Sequence, residues 1–184
     1  DESSHVLNNV IEHNYNLEKF AEHPNDRVRH GLAIHVMKSH DDELKSQIYP
    51  LLKDDRNDHV REILASDGYY LDQYVTDESA YVRSSVAQNG YGLETLVNDD
   101  DEDVLMRVAE QGYGLDKLKD HPSSFVRGMV AAQGYQPEVF VNDPSEEVAE
   151  VARPILAELE WERTHEVTLT EEDLSCLTDD TLTL

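Results

Sequence analysis

Tyr91-Gly-Leu-Glu-Thr-Leu-Val-Asn-Asp-Asp-Asp-Glu-Asp-Val-Leu-Met-Arg-Val-Ala-Glu-Gln-Gly112 is followed at once by a second copy, Tyr113 to Gly134, and by a degraded third copy from Tyr135. The valine of the unit serves as a ruler. Val60, Val82, Val104, Val126 and Val148 are each 22 residues apart, and Val6 precedes Val28 by the same interval. Val28 precedes Val60 by 32, so one unit carries ten extra residues. The chain therefore reads as about seven units. Self-similarity at a fixed period of about 20–50 residues is the mark of stacked helical or strand repeats, and it governs every local reading.

Other columns keep this register. Thirteen residues before the ruler stand Tyr15, Tyr69, Tyr91, Tyr113 and Tyr135; eight before it stand Phe20, Leu52, Tyr74, Leu96, Leu118 and Phe140. Five before it stand Asp1, His23, Asp55, Asp77, Asp99, His121 and Asp143, with Pro24, Pro122 and Pro144 one position later. The Asp/His-Pro pair predicts a helix start, with the side chain as N-cap and proline at the first helical position. Apolar residues at the ruler and four residues on, then an alanine, give one helix stripe that permits close approach. The glycine column at Gly68, Gly90, Gly112 and Gly134 predicts a left-handed C-cap. The short Tyr-Gly-Leu-x-x-Leu segment has room for a single helical turn. One such unit buries one face only, so stability comes from stacking.

Asp143-Pro144-Ser-Glu-Glu-Val148 and Val82-Arg83-Ser-Ser-Val86-Ala87 resemble the leucine-rich-repeat-variant and HEAT-like families, over roughly residues 1 to 155. The resemblance implies an all-α fold, a right-handed α-solenoid, and says little of function, because such repeats bind many unrelated partners. It also implies that the Arg column (Arg29, Arg61, Arg83, Arg127) and the Asp column (Asp55, Asp77) form a structural ladder between neighbouring turns. Some variant-repeat proteins carry an iron–sulfur cluster on a cysteine-rich segment. This chain has only Cys176, which leaves no ligand set for one.

The organisation expected is a repeat domain over 1–163 and an acidic tail over 164–184. The tail is Thr-rich and holds no Lys or Arg, and it is either flexible or docked. The ten-residue insertion falls within 34–52: the second helix runs on to Lys38, and Asp41 or Asp42 caps another helix through Leu52. Such an insertion often marks a binding face. Pro154 is expected to interrupt the last helix, with 155–163 as a terminal cap.

Forty acidic residues against fifteen basic ones give a net charge of −25. That disfavours direct contact with nucleic acid or an anionic membrane and favours a basic partner. The lone cysteine fits a reducing, cytoplasmic setting. Asp99-Asp100-Asp101-Glu102-Asp103 is the densest acidic run, and Asp41-Asp42-Glu43 the second. As a calcium loop the first fails, since Val104 stands where glycine is required. Two accounts of it stay open: a solvated helix start, and a contact for Lys or Arg of a partner. His35, His40, Asp41 and Asp42 are the best metal candidates, but they lack an i, i+4 ligand pair, and no metal or other cofactor is expected. The tyrosine column is read as core. No nucleophile–base–orienter set presents itself.

The expectation is thus a non-enzymatic protein-interaction scaffold with an acidic surface for a basic protein. A DNA-mimicking inhibitor of a nucleic-acid enzyme, of the phage antidefence type, is the alternative. A HEAT-like hydroxylase or lyase is the weaker one, since His165-Glu166 is the lone His-Glu pair.

Overall fold

The computed structural model describes residues 16–165. The first-unit stripe (Val6, Val10, Ile11), Cys176 and the tail beyond His165 lie outside the described residues. Those described are all helical, with twelve helices and no strand. They fall in two compact units that divide between Tyr135 and Gln136.

The first unit opens with α1 (Glu18–Ala21), α2 (Asp26–Ser39) and α3 (Asp42–Leu52). A regular alternation follows: α4 (Asp58–Ser66), α5 (Leu71–Tyr74), α6 (Ala80–Gln88), α7 (Leu93–Leu96), α8 (Glu102–Glu110), α9 (Leu115–Leu118) and α10 (Ser124–Ala132). Each nine-residue helix begins two residues before its ruler valine. Each packs on the next of its kind: α4 on α6, α6 on α8, α8 on α10. The packed stripe is the predicted one. Val60, Leu64 and Ala65, then Val82, Val86 and Ala87, then Val104, Val108 and Ala109 are fully buried. The four-residue helices supply the second half of the core through Tyr74, Leu96 and Leu118. A buried Val or Leu contributes about 1.5–3 kcal/mol, so the recurring stripe is the main source of stability.

Each nine-residue helix of the first three stops as expected. Gly68 has φ +83°, and the amide after it, on Tyr69, donates to the Leu64 carbonyl; Tyr91 and Tyr113 repeat this bond to Val86 and Val108. The tyrosine column is only partly core: Tyr69 is half-buried, its ring edge-on to the buried Tyr49 at 4.8 Å between centroids. Tyr91 and Tyr113 are 43% and 40% exposed. A residue just past a left-handed cap leaves the helix axis, and here it points the ring outward.

The helix starts also differ from expectation. The N-caps are Asn25, Asn57, Ser79, Asp101 and Ser123, two residues beyond the Asp/His column. The column residue sits in the preceding turn and accepts the N-cap amide: Asp55 from Asn57, Asp77 from Ser79, Asp99 from Asp101. His23 and His121 do the same through Nδ1. Proline then lies before the helix rather than inside it.

The insertion forms as read, with α2 ending one residue past Lys38. His40 adopts a left-handed conformation, and the Asp41 carboxylate accepts the Glu43 and Leu44 amides at 3.0 and 3.1 Å. Helix α3 buries Ile48, Tyr49 and Leu52. Lys45, 7% exposed, places Nζ 2.8 Å from the Asp67 carboxylate, and the Tyr49 hydroxyl donates to the same group at 2.6 Å. Burial, then the carboxylate, pushes the Tyr49 phenol far above its usual value. The hydrogen bond to Asp67 raises Lys45. Both groups keep their protons at neutral pH and bolt the insertion to the C-cap of α4.

The second unit holds α11 (Pro137–Phe140) packed on α12 (Glu146–Thr164), with Phe140, Val148, Ala149 and Ala152 buried. Pro154 does not interrupt α12, and 155–163 is its continuation rather than a separate cap. Pro154 and the Glu150 whose carbonyl it leaves without an amide are both exposed residues, so the lost bond falls on the solvent side of the helix, where its cost is least.

Candidate functional site

The Arg and Asp columns do bond between neighbouring turns, Arg61 and Arg83 each reaching forward to the carboxylate of the next unit. Arg83 donates through Nε and Nη2 to both oxygens of Asp99, sixteen residues on, at 2.6 and 2.9 Å. Its Nη1 donates to the backbone carbonyl of Asp77, six residues back. Arg61 repeats this with Asp77 and the Asp55 carbonyl, and Arg29 with Asp55 and the His23 carbonyl. Arg127 likewise donates to the His121 carbonyl. Arg29, Arg61 and Arg83 thus each clamp their own helix start and fork onto the next unit's carboxylate. Asp99 is therefore a rung and not a partner contact; its side chain is 7% exposed and committed to Arg83.

Where the arginine is missing, its acceptor changes too. Leu105 occupies the Arg column and is buried; sixteen residues on stands His121, not Asp. Leu7 and His23 have the same relation in sequence. An imidazole still accepts the turn amide through Nδ1 but puts no carboxylate in the turn.

A second set of rungs joins the helix starts themselves. Asn57 donates to Asp26, Ser79 to Asp58 at 2.8 Å, and Ser123 to Glu102 at 2.6 Å. The acidic run is thereby divided by role. Asp99 binds Arg83, Asp101 caps α8 through the Asp103 and Val104 amides, and Glu102 accepts from Ser123. Asp100 and Asp103 are exposed, and neither makes an ion pair among the described residues.

These two carboxylates border a groove across the first turns of α6, α8 and α10. One end is a hollow of about 570 Å³ lined by Asp100, Asp101, Glu102, Asp103, Met106 and Phe125. Two smaller hollows join it at Asp103, both also lined by Tyr81. Phe125 is 70% exposed and Tyr81 58%. Both stand one residue before the ruler, the column that also holds His59 and Asp103. His59 lies 5.8 Å from Tyr81 between ring centroids, so neighbouring members of this column touch.

Comparison with protein-family models, with curated proteins and with solved structures finds no match for this chain.

Asp41, Asp42 and Glu43 are exposed at the start of α3, and no residue lining the groove comes from that helix. Among the described residues, no group of three or more His, Cys, Asp or Glu is placed to hold a metal ion, and no helix is long and apolar enough to cross a membrane. His165 stacks on Trp161, and its neighbour Glu166 lies outside the described residues. A further hollow near Pro24, Pro50 and Leu51 has both of its arginines already engaged, Arg29 by Asp55 and Arg56 by the Pro24 carbonyl. Tyr81 and Phe125 were missed in the sequence. Their signal was available: large aromatics in a column otherwise filled by Asp, Glu, Arg and His.

The rungs carry a pH dependence. Burial is the largest single influence and works to raise Asp55 and Asp99, but the Arg29 and Arg83 hydrogen bonds, the turn amides of Asn57 and Asp101 and the guanidinium charges together outweigh it and hold both carboxyls below the usual range. A lowered folded value gives stability that is complete above the unfolded pKa of about 3.9 and lost as pH falls through the folded one. Protonation of other carboxylates opposes this by relieving the −25 self-repulsion. Urea midpoints should therefore hold or rise from pH 7 to about 4.5 and drop steeply below about pH 3. A monotonic fall beginning at pH 6 would show that the rungs do not set the acid limit.

Proposed function

We propose that the chain is a non-enzymatic binding module, a right-handed α-solenoid of seven HEAT-like units, whose acidic face takes a basic protein partner. The observation that supports this best is the groove beside Asp103. There, exposed carboxylates that the fold does not use lie next to exposed aromatic rings. The Arg-Asp rungs and the N-cap rungs account for much of the acidity at the helix starts. Asp100 and Asp103 are outside that account. Interleaved rings also suit a protein segment better than they suit imitation of a phosphate backbone, which needs carboxylates alone in regular spacing.

The test is selection from a random peptide library at 150 mM salt, followed by titration of the selected peptides. Peptides rich in Lys and Arg should emerge. Asp100→Lys with Asp103→Lys should weaken them at least about tenfold, since each partly exposed ion pair is worth up to about 1 kcal/mol and repulsion replaces attraction. Selection of acidic or neutral peptides, or tight binding of duplex DNA, would overturn the proposal.

A further inference from the structure

We infer that this groove selects arginine over lysine, and that its occupant is an extended segment of a partner with two arginines about six residues apart. The inference rests on the basic-partner reading and goes beyond it by naming the side chain recognised.

The argument begins with the rings. Single exposed apolar side chains are ordinary. Tyr81 and Phe125, however, flank one groove with Met106 and Asp103 between them. A ring face beside a carboxylate suits guanidinium. It is planar, stacks flat on the ring and still presents a fork of N–H donors to the acid. An ammonium meets the carboxylate equally well but gains less from the ring and binds as a strongly hydrated point charge. The positive end of α8 opposes any cation with about half a charge, and Asp100, Asp101 and Asp103 together outweigh it.

The spacing follows from the period. Tyr81 and Phe125 stand on α6 and α10, with α8 between. Packed helices lie about 8–10 Å apart, so the rings are separated by about 16–20 Å. An extended chain advances about 3.3 Å per residue and presents the same face at every second one, so an even step of about six residues spans the distance with both side chains toward the rings.

Charge excludes the nearer candidates. Residues 164–184 contain no Lys or Arg, and a second copy brings another −25.

The probe is a ten-residue Gly/Ser peptide with arginines six residues apart, titrated calorimetrically into the full chain beside its lysine counterpart. The arginine peptide should bind about five- to tenfold tighter, the range expected of one or two exposed cation–π contacts. Phe125→Ala and Tyr81→Ala should each reduce that preference and leave lysine-peptide affinity within about twofold, because an alanine removes the ring but not the carboxylates. Asp103→Asn should weaken both peptides. Equal affinities, or a preference that survives both alanine variants, would overturn the arginine inference while salt-sensitive binding of both peptides left the basic-partner reading standing. Failure of both peptides to bind would remove the two together. Unaltered thermal unfolding of the alanine variants, whose side chains are exposed, confirms that the fold is not the cause.

Discussion

Replacing Arg83 with leucine is expected to lower stability by about 3 kcal/mol, and adding Asp99→His is expected to restore most of it. The single change leaves the Asp99 carboxylate 7% exposed, with one turn amide as its remaining strong donor. An uncompensated buried charge costs about 3–5 kcal/mol, and the lower end applies because Arg83 itself is 18% exposed. The double variant copies the pairing the chain already uses at Leu105 and His121. Histidine at 99 can accept the Asp101 amide as His121 accepts that of Ser123. Urea unfolding of the four proteins in the cycle checks this, with a favourable coupling of at least about 2 kcal/mol for the double change. Equal losses for the single and the double variant would mean that the arginine acts by packing alone. The double variant should also lose less stability below pH 3 than the parent, because one of the lowered carboxyls is gone.

That pairing shows where the sequence was legible and where it was not. The period, the helix stripe and the glycine stops rest on contacts within about eight residues, and each was read from the columns. The rungs connect residues sixteen apart, or 26 across the insertion. Arg61 and Asp55 stand six residues apart in one unit, the nearest Arg-Asp spacing the columns offer. The Arg61 guanidinium does reach Asp55, but at the backbone carbonyl, and the charge goes to Asp77. The substitution of His121 for Asp, opposite Leu105, was the clue to the true partner. The groove was harder. Five consecutive acidic residues look alike on the page, and only the fold separates Asp99, which is buried, from Asp103, which is not. Phe125 looks like core by composition. The ruler places it one step off the buried stripe, on the solvent side of α10.

The second large effect is expected at Gly92. Its φ is +62°, and an added Cβ would overlap a γ-methyl of Val75. Gly92→Ala should cost about 2–4 kcal/mol: about 1–2 for a left-handed non-glycine residue and the remainder for the overlap. Gly114 stands in the same relation to Val97, seventeen residues back, and has φ +64°. The equivalent position two periods earlier than Gly114 is Tyr70, left-handed at φ +57° with a full side chain. Seventeen residues before it stands Lys53, not valine. Lysine has one γ-carbon, which a rotamer change can turn aside, whereas valine has two and cannot move both. The left-handed turn alone is therefore tolerable, and the branched neighbour is what demands glycine. In a Val75→Ala background, Gly92→Ala should accordingly cost only about 1–2 kcal/mol, the conformational part alone. Thermal or urea unfolding of the four variants separates the two parts. An undiminished cost in that background would place the whole penalty in the backbone and sever the link between the two columns.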